Sequence, residues 1–326
     1  MSEIAVIVVN YGTAGLALAA VQSVLDHQHP GHRVEVHLVD NASPGEDAAV
    51  FAAEHAARGW GARVTLWPET QNHGFGRGNN VVLAALAARD TPPDHVFLLN
   101  PDAALANEAI AILADFLDAH PGVGAAGSGI RSPSGAALTA AFRFPSPARE
   151  FVSAVSFGPL ARLFPRARVA LGPDTPAGEV DWVAGAAVMF RFGPLQALGG
   201  FDPDFFLYYE EVELMHRLRA AGHAIWYLPQ AQVIHAEGAS TQVKSLQSAR
   251  KRKPAYWYRS WRLYYSKTRG RAGAVGAALA WISGASVNFA LAVLRRREPA
   301  APLHFYGDVA RHVVAPLIRG GSPADG

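Results

Sequence analysis

Residues 210–213 read Glu-Glu-Val-Glu, three carboxylates within one helical turn, directly after an aromatic run of Phe205, Phe206, Tyr208 and Tyr209. On an ideal helix Glu211 shares a face with Leu214, Met215 and Leu218, so its side chain is expected to look inward. Glu213 stands four residues before Arg217, the favourable order for a helical ion pair, and is expected on the solvated face. Glu210 and Glu213 are both first-turn acids able to complement the helix dipole. A carboxylate on an apolar face against aromatics suits a general base with a raised pKa; the same position also suits an N-terminal helix charge bordering the core. His235, in the run AQVIHAEGAS, is the other reactive group. The chain has no cysteine, which leaves imidazole and carboxylate oxygens as metal ligands, while a lone His at a strand end is usually structural.

A further set of polar residues closes three strand-like runs: Asn10 after IAVIVV, Asp40 and Asn41 after VEVHLV, and Asn100 and Asp102 after HVFLL. Each alone is ordinary turn and cap chemistry. Three strands ending in Asn or Asp at one sheet edge is a stronger pattern, because open α/β sheets bind ligands beyond their carboxyl ends. Helical patterns at roughly 15–28, 46–58 and 77–90 lie between these runs, so the alternation is βαβα and a mainly parallel sheet follows. The stretch QNHGFGRGNN, residues 71–80, reads as a glycine-rich turn leading into a helix, where backbone N–H groups can approach a phosphate. It is not the dinucleotide fingerprint, which belongs directly after the first strand, where this chain has NYGTAG.

With 326 residues, half of them hydrophobic, the chain can bury a substantial core. The absence of cysteine rules out disulfides and thiolate metal sites and fits a reducing compartment. The opening MSEIAVIVVNYG lacks a basic leader region and reads as a first strand, so the catalytic part is expected in the cytoplasm. Formal charge is only +2, but between Glu237 and Glu298 no acid occurs. Lys244, Arg250, Lys251, Arg252, Lys253, Arg259, Arg262, Lys267, Arg269 and Arg271 fall there, with Arg295, Arg296 and Arg297. Such a segment suits an anionic partner, lipid headgroups or nucleic acid. No nucleic-acid module is recognisable, so nucleic acid is not expected.

Residues 272–294 run uncharged between Arg271 and Arg295. Their length fits a membrane span, but Ala, Gly and Ser content and Asn288 make them only mildly apolar, and a packed hairpin or an interfacial helix fits as well. With YWYRSWRLYY at 256–265 interleaving aromatics and arginines before it, the favoured reading is peripheral docking on an anionic membrane at the inner face of the plasma membrane. A soluble helical cap or a dimer interface is the alternative.

The segments VVNY (8–11), VDNAS (39–43), NHGFGRGNN (72–80), LLNPDA (98–103), DWVAGA (181–186), GGFDPDFFLYYEEVEL (199–214) and VIHAEGAS (233–240) come in a distinctive order. The set resembles inverting family 2 glycosyltransferases, above all the bacterial rhamnosyltransferase-like branch that builds surface polysaccharides. The resemblance covers about residues 3–240. It implies an α/β GT-A fold, a Rossmann-like mixed sheet flanked by helices, over residues 1–240, with 241–326 as a helical extension. It implies that Asp40 hydrogen-bonds the nucleotide base beside Asn10, Tyr11 and Asn41, and that Gly74, Phe75, Arg77, Asn79, Asn80 and Asn100 belong to the nucleotide-sugar site. NPD at 100–102 matches the family's metal-binding D-x-D with Asn100 for the first aspartate, leaving Asp102 as the carboxylate ligand. His235 matches a histidine that completes the metal site, with Mg²⁺ or Mn²⁺ as the implied ion. Glu211 matches the general base, Glu replacing Asp, with Glu210 as the fallback; Trp182, Gly185 and Tyr209 are placed on the acceptor side. The implied reaction moves a sugar, rhamnose from dTDP-rhamnose being the first expectation, onto a lipid-linked or polysaccharide hydroxyl. A nucleotidyltransferase and a non-catalytic nucleotide-sugar-binding protein are the alternatives.

Overall fold

The structure is a computed structural model that describes residues 1–236 and 250–319; Lys244 and the end of the VIHAEGAS motif lie outside the described residues. The strands are β1 (Ser2–Asn10), β2 (His32–Asn41), β3 (Val64–Glu69), β4 (His95–Leu99), β5 (Ala103–Leu105), β6 (Val123–Arg131), β7 (Ala137–Leu138), β8 (Ala141–Phe142), β9 (Gly178–Val180), β10 (Trp182–Val183), β11 (Ala187–Arg191) and β12 (Ala224–His235). The helices are α1 (Ala14–Leu25), α2 (Asp47–Ala57), α3 (Gly74–Ala87), α4 (Ala109–Ala119), α5 (Pro147–Val155), α6 (Gly158–Leu163), α7 (Phe192–Ala197), α8 (Glu210–Ala220), α9 (Ala255–Leu294), α10 (Phe305–Val309) and α11 (Ala315–Arg319). Two compact units share them. One takes Met1–Phe142, Gly172–Pro203 and Leu214–Ser245; the other takes Arg143–Leu171, Asp204–Glu213 and Leu246–Gly326. The expected segments 1–240 and 241–326 are a different cut, drawn from the extent of the motif resemblance and not from packing.

The first unit is built on a mixed sheet in the order β3-β2-β1-β4-β11-β6-β12-β5. β1 lies between β2 and β4, parallel to both, and is buried without a break from Ile4 to Asn10, as strands covered on both faces are. Ile4, Val6, Val8, Leu38, Phe97 and Leu99 pack with Val21 and Val24 of α1 and Ile110, Leu113 and Leu117 of α4 in one core. β11 then reverses direction against β4 and β6, and β12 runs parallel to β6 but antiparallel to β5. β12 spans 12 residues. A register shift between Leu228 and Gln232 carries it on through His235.

α1 and α2 fall where hydrophobic period places them, but α3 starts at Gly74. The glycine-rich stretch is therefore the first turns of the helix and not a turn ahead of it. A Cβ on Gly76 would lie 3.0 Å from Phe201 Cβ, and one on Gly78 3.0 Å from Val9 Cγ1, so these glycines serve close packing of α3.

In the second unit α9 is interrupted at Gly270, whose backbone (φ 67°, ψ 174°) is not helical. The first segment overturns the lipid-docking expectation for 256–265, because Tyr258, Trp261, Leu263, Tyr264 and Tyr265 are core residues. Two of the basic residues are tied down as well. Arg250 Nε donates to Ala301 O (2.6 Å), and Arg252 forms a forked pair with the Asp308 carboxylate (2.8 and 2.5 Å). The second segment packs on α5 through small residues: a Cβ on Gly284 would stand 2.5 Å from Phe151 O and 2.9 Å from Ala154 Cβ. Asn288, the polar residue that argued against a membrane span, donates to Val155 O (2.9 Å) and accepts from Ala300 N (2.8 Å).

This contact gives a stability prediction. Gly284→Ala should cost about 1–3 kcal/mol as overpacking, read as a lower urea midpoint. Gly276→Ala, with nothing within 4 Å of the added Cβ, should be neutral or stabilise by up to about 1 kcal/mol through helix propensity.

Candidate active site

At the carboxyl edge of the first unit's sheet, Asn10 and Asp40 are register neighbours on β1 and β2. Asn10 Nδ2 donates to Asp47 Oδ2 (2.8 Å), Ser43 Oγ (3.1 Å) and Asp40 Oδ1 (3.4 Å), while its Oδ1 accepts from Thr13 N (3.1 Å) and Thr13 Oγ1 (2.8 Å). Ser43 Oγ donates to Asp40 Oδ1 (2.5 Å) and accepts from Gly12 N (2.8 Å). Asn10 is thus a saturated brace holding the turns after β1 and β2. Asp40 Oδ2 has no hydrogen bond among the described residues, and Tyr11, next in the chain to Asn10, is exposed. Ser43 sits in the VDNAS motif, but nothing in the sequence singled out Asp47.

Asn41 latches the start of α3. Its Nδ2 donates to Asn72 Oδ1 (3.1 Å) and Gly74 O (3.0 Å), and its Oδ1 accepts from His73 N (3.0 Å). Gly74 adopts φ +75°, a left-handed conformation that glycine takes without steric cost. Asn80 clasps Phe201, donating to its O (2.7 Å) and accepting from its N (2.9 Å), and Phe75 meets the Phe201 ring edge to face at 5.9 Å. Asn79 Nδ2 donates to Phe75 O (2.9 Å), leaving its buried Oδ1 without a partner. Arg77 Nε donates to His73 O (2.8 Å). Asn41 and Asn80 therefore spend their hydrogen bonds on the fold.

Asp102 and His235 meet. β5 pairs antiparallel with the end of β12, setting Ala103 opposite His235, and Ala236 N donates to Asp102 O (3.0 Å). Asp102 Oδ1 and His235 Nε2 are 3.0 Å apart, with the carboxylate almost wholly buried. Asn100 N donates to Ala186 O (2.9 Å) at the same strand end. Among the described residues no group of three or more His, Asp or Glu could hold a metal. A hard cation wants about six oxygen-rich ligands. One carboxylate and one imidazole suit an ion that arrives with a diphosphate and not one held in a complete protein cage. Trp182 stacks on Phe142 (4.1 Å, 13°), and Gly185 follows between β10 and β11.

In the second unit, Tyr208 (φ 70°) and Tyr209 (φ 71°) are consecutive left-handed residues directly ahead of α8. Non-glycine residues hold this conformation only where their surroundings impose it. Here α9 imposes it. Tyr208 stacks on Tyr256 (6.1 Å, 16°), Tyr209 packs on Trp257 (5.7 Å) and Tyr264 (5.5 Å), and Ser260 Oγ donates to Leu207 O (2.8 Å). Glu150 of α5, which no motif marked, accepts from Trp261 Nε1 (3.1 Å) and Tyr265 Oη (2.9 Å).

The expected facing of the glutamates is corrected by this packing. Glu213 is buried and not on the solvated face, Glu210 is buried too, and Glu211 is half-buried. The aromatics of α9 gather on the segment entering α8, so the helix opens in enclosed surroundings, which a single apolar stripe does not describe. Burial raises the pKa of Glu210 well above the ordinary range, with the charge of Glu211 adding to it, and Glu210 Oε2 has no hydrogen-bond partner. Burial also raises Glu211, opposed by hydrogen bonds from the backbone N–H groups of Glu211 and Val212. Of the two, Glu211 is better equipped to hold negative charge and is more open to solvent.

A family model described as "Glycosyltransferase like family 2" matches residues 2–258. The chain belongs to this family. It is 32% identical over 186 residues to N-acetylglucosaminyl-diphospho-decaprenol L-rhamnosyltransferase of Mycobacterium tuberculosis (strain ATCC 25618 / H37Rv), a match covering 55% of this chain and 60% of that protein. It is 25% identical over 165 residues to the rhamnosyltransferase WbbL of Escherichia coli (strain K12), covering 50% and 61%. The match thus spans about three-fifths of each of these relatives. Among solved structures, the mannosyltransferase PcManGT from Pyrobaculum calidifontis, in complex with GDP-Man and Mn²⁺, superposes with a TM-score of 0.54 at 16% identity, over 98% of this chain and 81% of that one. TarS 1–349 from S. aureus, in complex with UDP, gives 0.53 at 14%, over 86% and 70%. The family 2 chain therefore has the GT-A architecture that its motif order implied, a mixed α/β sheet followed by a long C-terminal helix.

Proposed function

We propose that this family 2 protein is an inverting glycosyltransferase that moves a sugar from a nucleoside diphosphate donor to a hydroxyl of a lipid-linked or surface-polysaccharide acceptor. The observation that carries the reading is the Asp102–His235 pair, 3.0 Å apart, at the sheet edge where Asp40 keeps an open acceptor. The rhamnosyltransferase names of the curated relatives support L-rhamnose as the sugar, with dTDP-rhamnose the donor that the motif resemblance implies, and a lipid-linked acceptor would put the work at the inner face of the plasma membrane. Asp40 hydrogen-bonds the base, with Tyr11 beside it. Asp102 and His235 would hold Mg²⁺ or Mn²⁺, which when bound neutralises charge on the leaving diphosphate. Glu211 takes the proton of the acceptor hydroxyl as that oxygen forms its bond to the anomeric carbon, and the carbon–oxygen bond to the diphosphate breaks on the opposite face. Burial and the neighbouring Glu211 charge favour the protonated form of Glu210, which disfavours two negative charges side by side.

The raised pKa of Glu211 has a measurable sign. A base works unprotonated, so kcat/KM should fall as pH drops through its pKa. That limb should lie above the ordinary glutamate value of about 4.3, as a pH–rate profile would reveal. A limb at or below that value removes the case for burial tuning.

The reading is tested by incubating the full chain with a panel of nucleotide sugars and Mg²⁺ or Mn²⁺, with and without lipid-linked acceptors. Acceptor-dependent release of nucleoside diphosphate with inverted product supports it. Release of pyrophosphate would mean nucleotidyl transfer, and binding without release a nucleotide-sugar-binding protein.

A further inference from the structure

Past Gly270, helix α9 has two unlike faces. One is buried in its own unit: Ala274, Ala277, Ala278, Trp281, Gly284, Ala285, Asn288 and Ala292. The other is apolar yet open to solvent, with Leu279 59%, Phe289 52%, Val293 60% and Leu294 79% exposed, and Val275 and Val287 along the same helix. No charged residue occurs between 272 and 294, so this face runs uncharged for about 34 Å at 1.5 Å per residue, its apolar side chains interrupted by the exposed Ser283 and Ser286. Contiguous exposed apolar surface of this kind marks an interaction site.

Its ends are cationic. Arg269 is exposed just before Gly270, and Arg295, Arg296 and Arg297 are exposed just after Leu294. Arg295 lies over the Phe157 ring at 4.3 Å, which sets the beginning of α6 beside this end of α9. α6 and its exit bring a second exposed pair, Leu163 (71%) and Phe164 (51%), directly after Arg162 and two residues before Arg166.

We propose that this face of α9, with its terminal arginines, lies flat on an anionic membrane, the apolar side chains among the acyl chains and the guanidinium groups at the headgroups. An interfacial helix pairs an apolar face with cationic residues in this way, and arginine stems extend along apolar surface while their heads reach phosphate. Crossing the bilayer is disfavoured, because it would strip Asn288 of its two hydrogen bonds and separate Gly284 from α5. A second copy is a poor occupant on charge. Between 250 and 319 the acids are Glu298 and Asp308, and Asp308 is buried against Arg252. Two such faces paired in either direction bring arginines onto arginines, whereas anionic headgroups neutralise them at both ends. This docking stands on unit two alone and does not rest on the proposed transfer chemistry.

The test is sedimentation of the full chain with vesicles of phosphatidylcholine alone or phosphatidylcholine with phosphatidylglycerol. Binding should require the anionic lipid and weaken as salt rises. The triple variant Arg295→Gln, Arg296→Gln, Arg297→Gln should bind anionic vesicles on the order of a hundredfold more weakly. The double variant Leu279→Glu, Val293→Glu should lose about as much or more through its apolar contacts. Both replace exposed side chains, so unfolding midpoints should stay near wild type, and any nucleoside diphosphate release on a soluble acceptor analogue should be unchanged. The proposal is overturned if wild type ignores anionic vesicles or if the double variant binds as well as wild type. It is equally overturned if sedimentation equilibrium reveals a dimer that the double variant dissolves while vesicle binding persists.

Discussion

Glu211→Gln should lower kcat by about 10²–10⁴-fold, the usual loss for a missing general base, while the Kd for the nucleotide sugar stays near wild type. The amide keeps the shape of the side chain and removes only the proton acceptor. Glu210→Gln is the informative partner. Glu210 is buried, has an unpartnered Oε2 and is raised well above the ordinary range by burial and by Glu211, which favours its neutral form, and an amide imitates a protonated carboxyl. That variant should keep most of its turnover, and the acid limb of its pH profile should stay near the wild-type position, because one neutral group replaces another. A dead Glu210→Gln beside an active Glu211→Gln would exchange the two roles. Calorimetric titration of the donor alongside steady-state rates separates lost binding from lost chemistry.

The second large effect is expected at Asp102. Asp102→Ala should weaken apparent metal affinity, measured by Mn²⁺ titration in the presence of the donor, by more than about 100-fold, since even outer-shell partners of metal ligands typically cost 10–100-fold. The residues that follow Asp102, Ala103, Ala104, Leu105 and Ala106, offer no side-chain oxygen to replace it. Glu108, the next acid, already accepts from Gln28 N (3.2 Å) and His29 N (3.0 Å). His235→Gln should weaken the metal less, because a neutral oxygen or nitrogen donor remains. If Asp102→Ala transfers sugar at the wild-type rate in excess EDTA, the metal assignment is lost.

The parts of the site that were legible in the sequence are those fixed by short-range pattern. Strand ends at Asn10, Asp40 and Asn100 follow from apolar runs stopped by turn residues. The meeting of Asp102 with His235 required the motif order, because only the antiparallel pairing of β5 with β12 joins residues 133 apart in the chain. What stayed hidden depends on packing between distant segments. The glycines at 76 and 78 look like a phosphate-binding turn until Phe201 and Val9 are seen against them. Glu213 reads as a surface charge because its i+4 partner is visible locally and the enclosure of its helix start is not. The aromatic and arginine run at 256–265 has the composition of a lipid-binding tail, but its side chains fill the core that holds Tyr208 and Tyr209 in place.

The two left-handed tyrosines also set a timetable for synthesis. Leu207 reaches its bond to Ser260 across 53 residues, and Glu150 reaches Tyr265 across 115. At about 5–20 residues per second, the ribosome delivers the first segment of α9 roughly 3–10 s after the glutamate segment it must cover. During that interval Phe205, fully buried in the finished protein, and the neighbouring aromatics await their partners. A chain stopped before residue 255 would leave the ribosome with this aromatic surface permanently uncovered. Such truncations should enter aggregates or bind chaperones, and slowing elongation between 213 and 265 should lower the yield of soluble full-length protein.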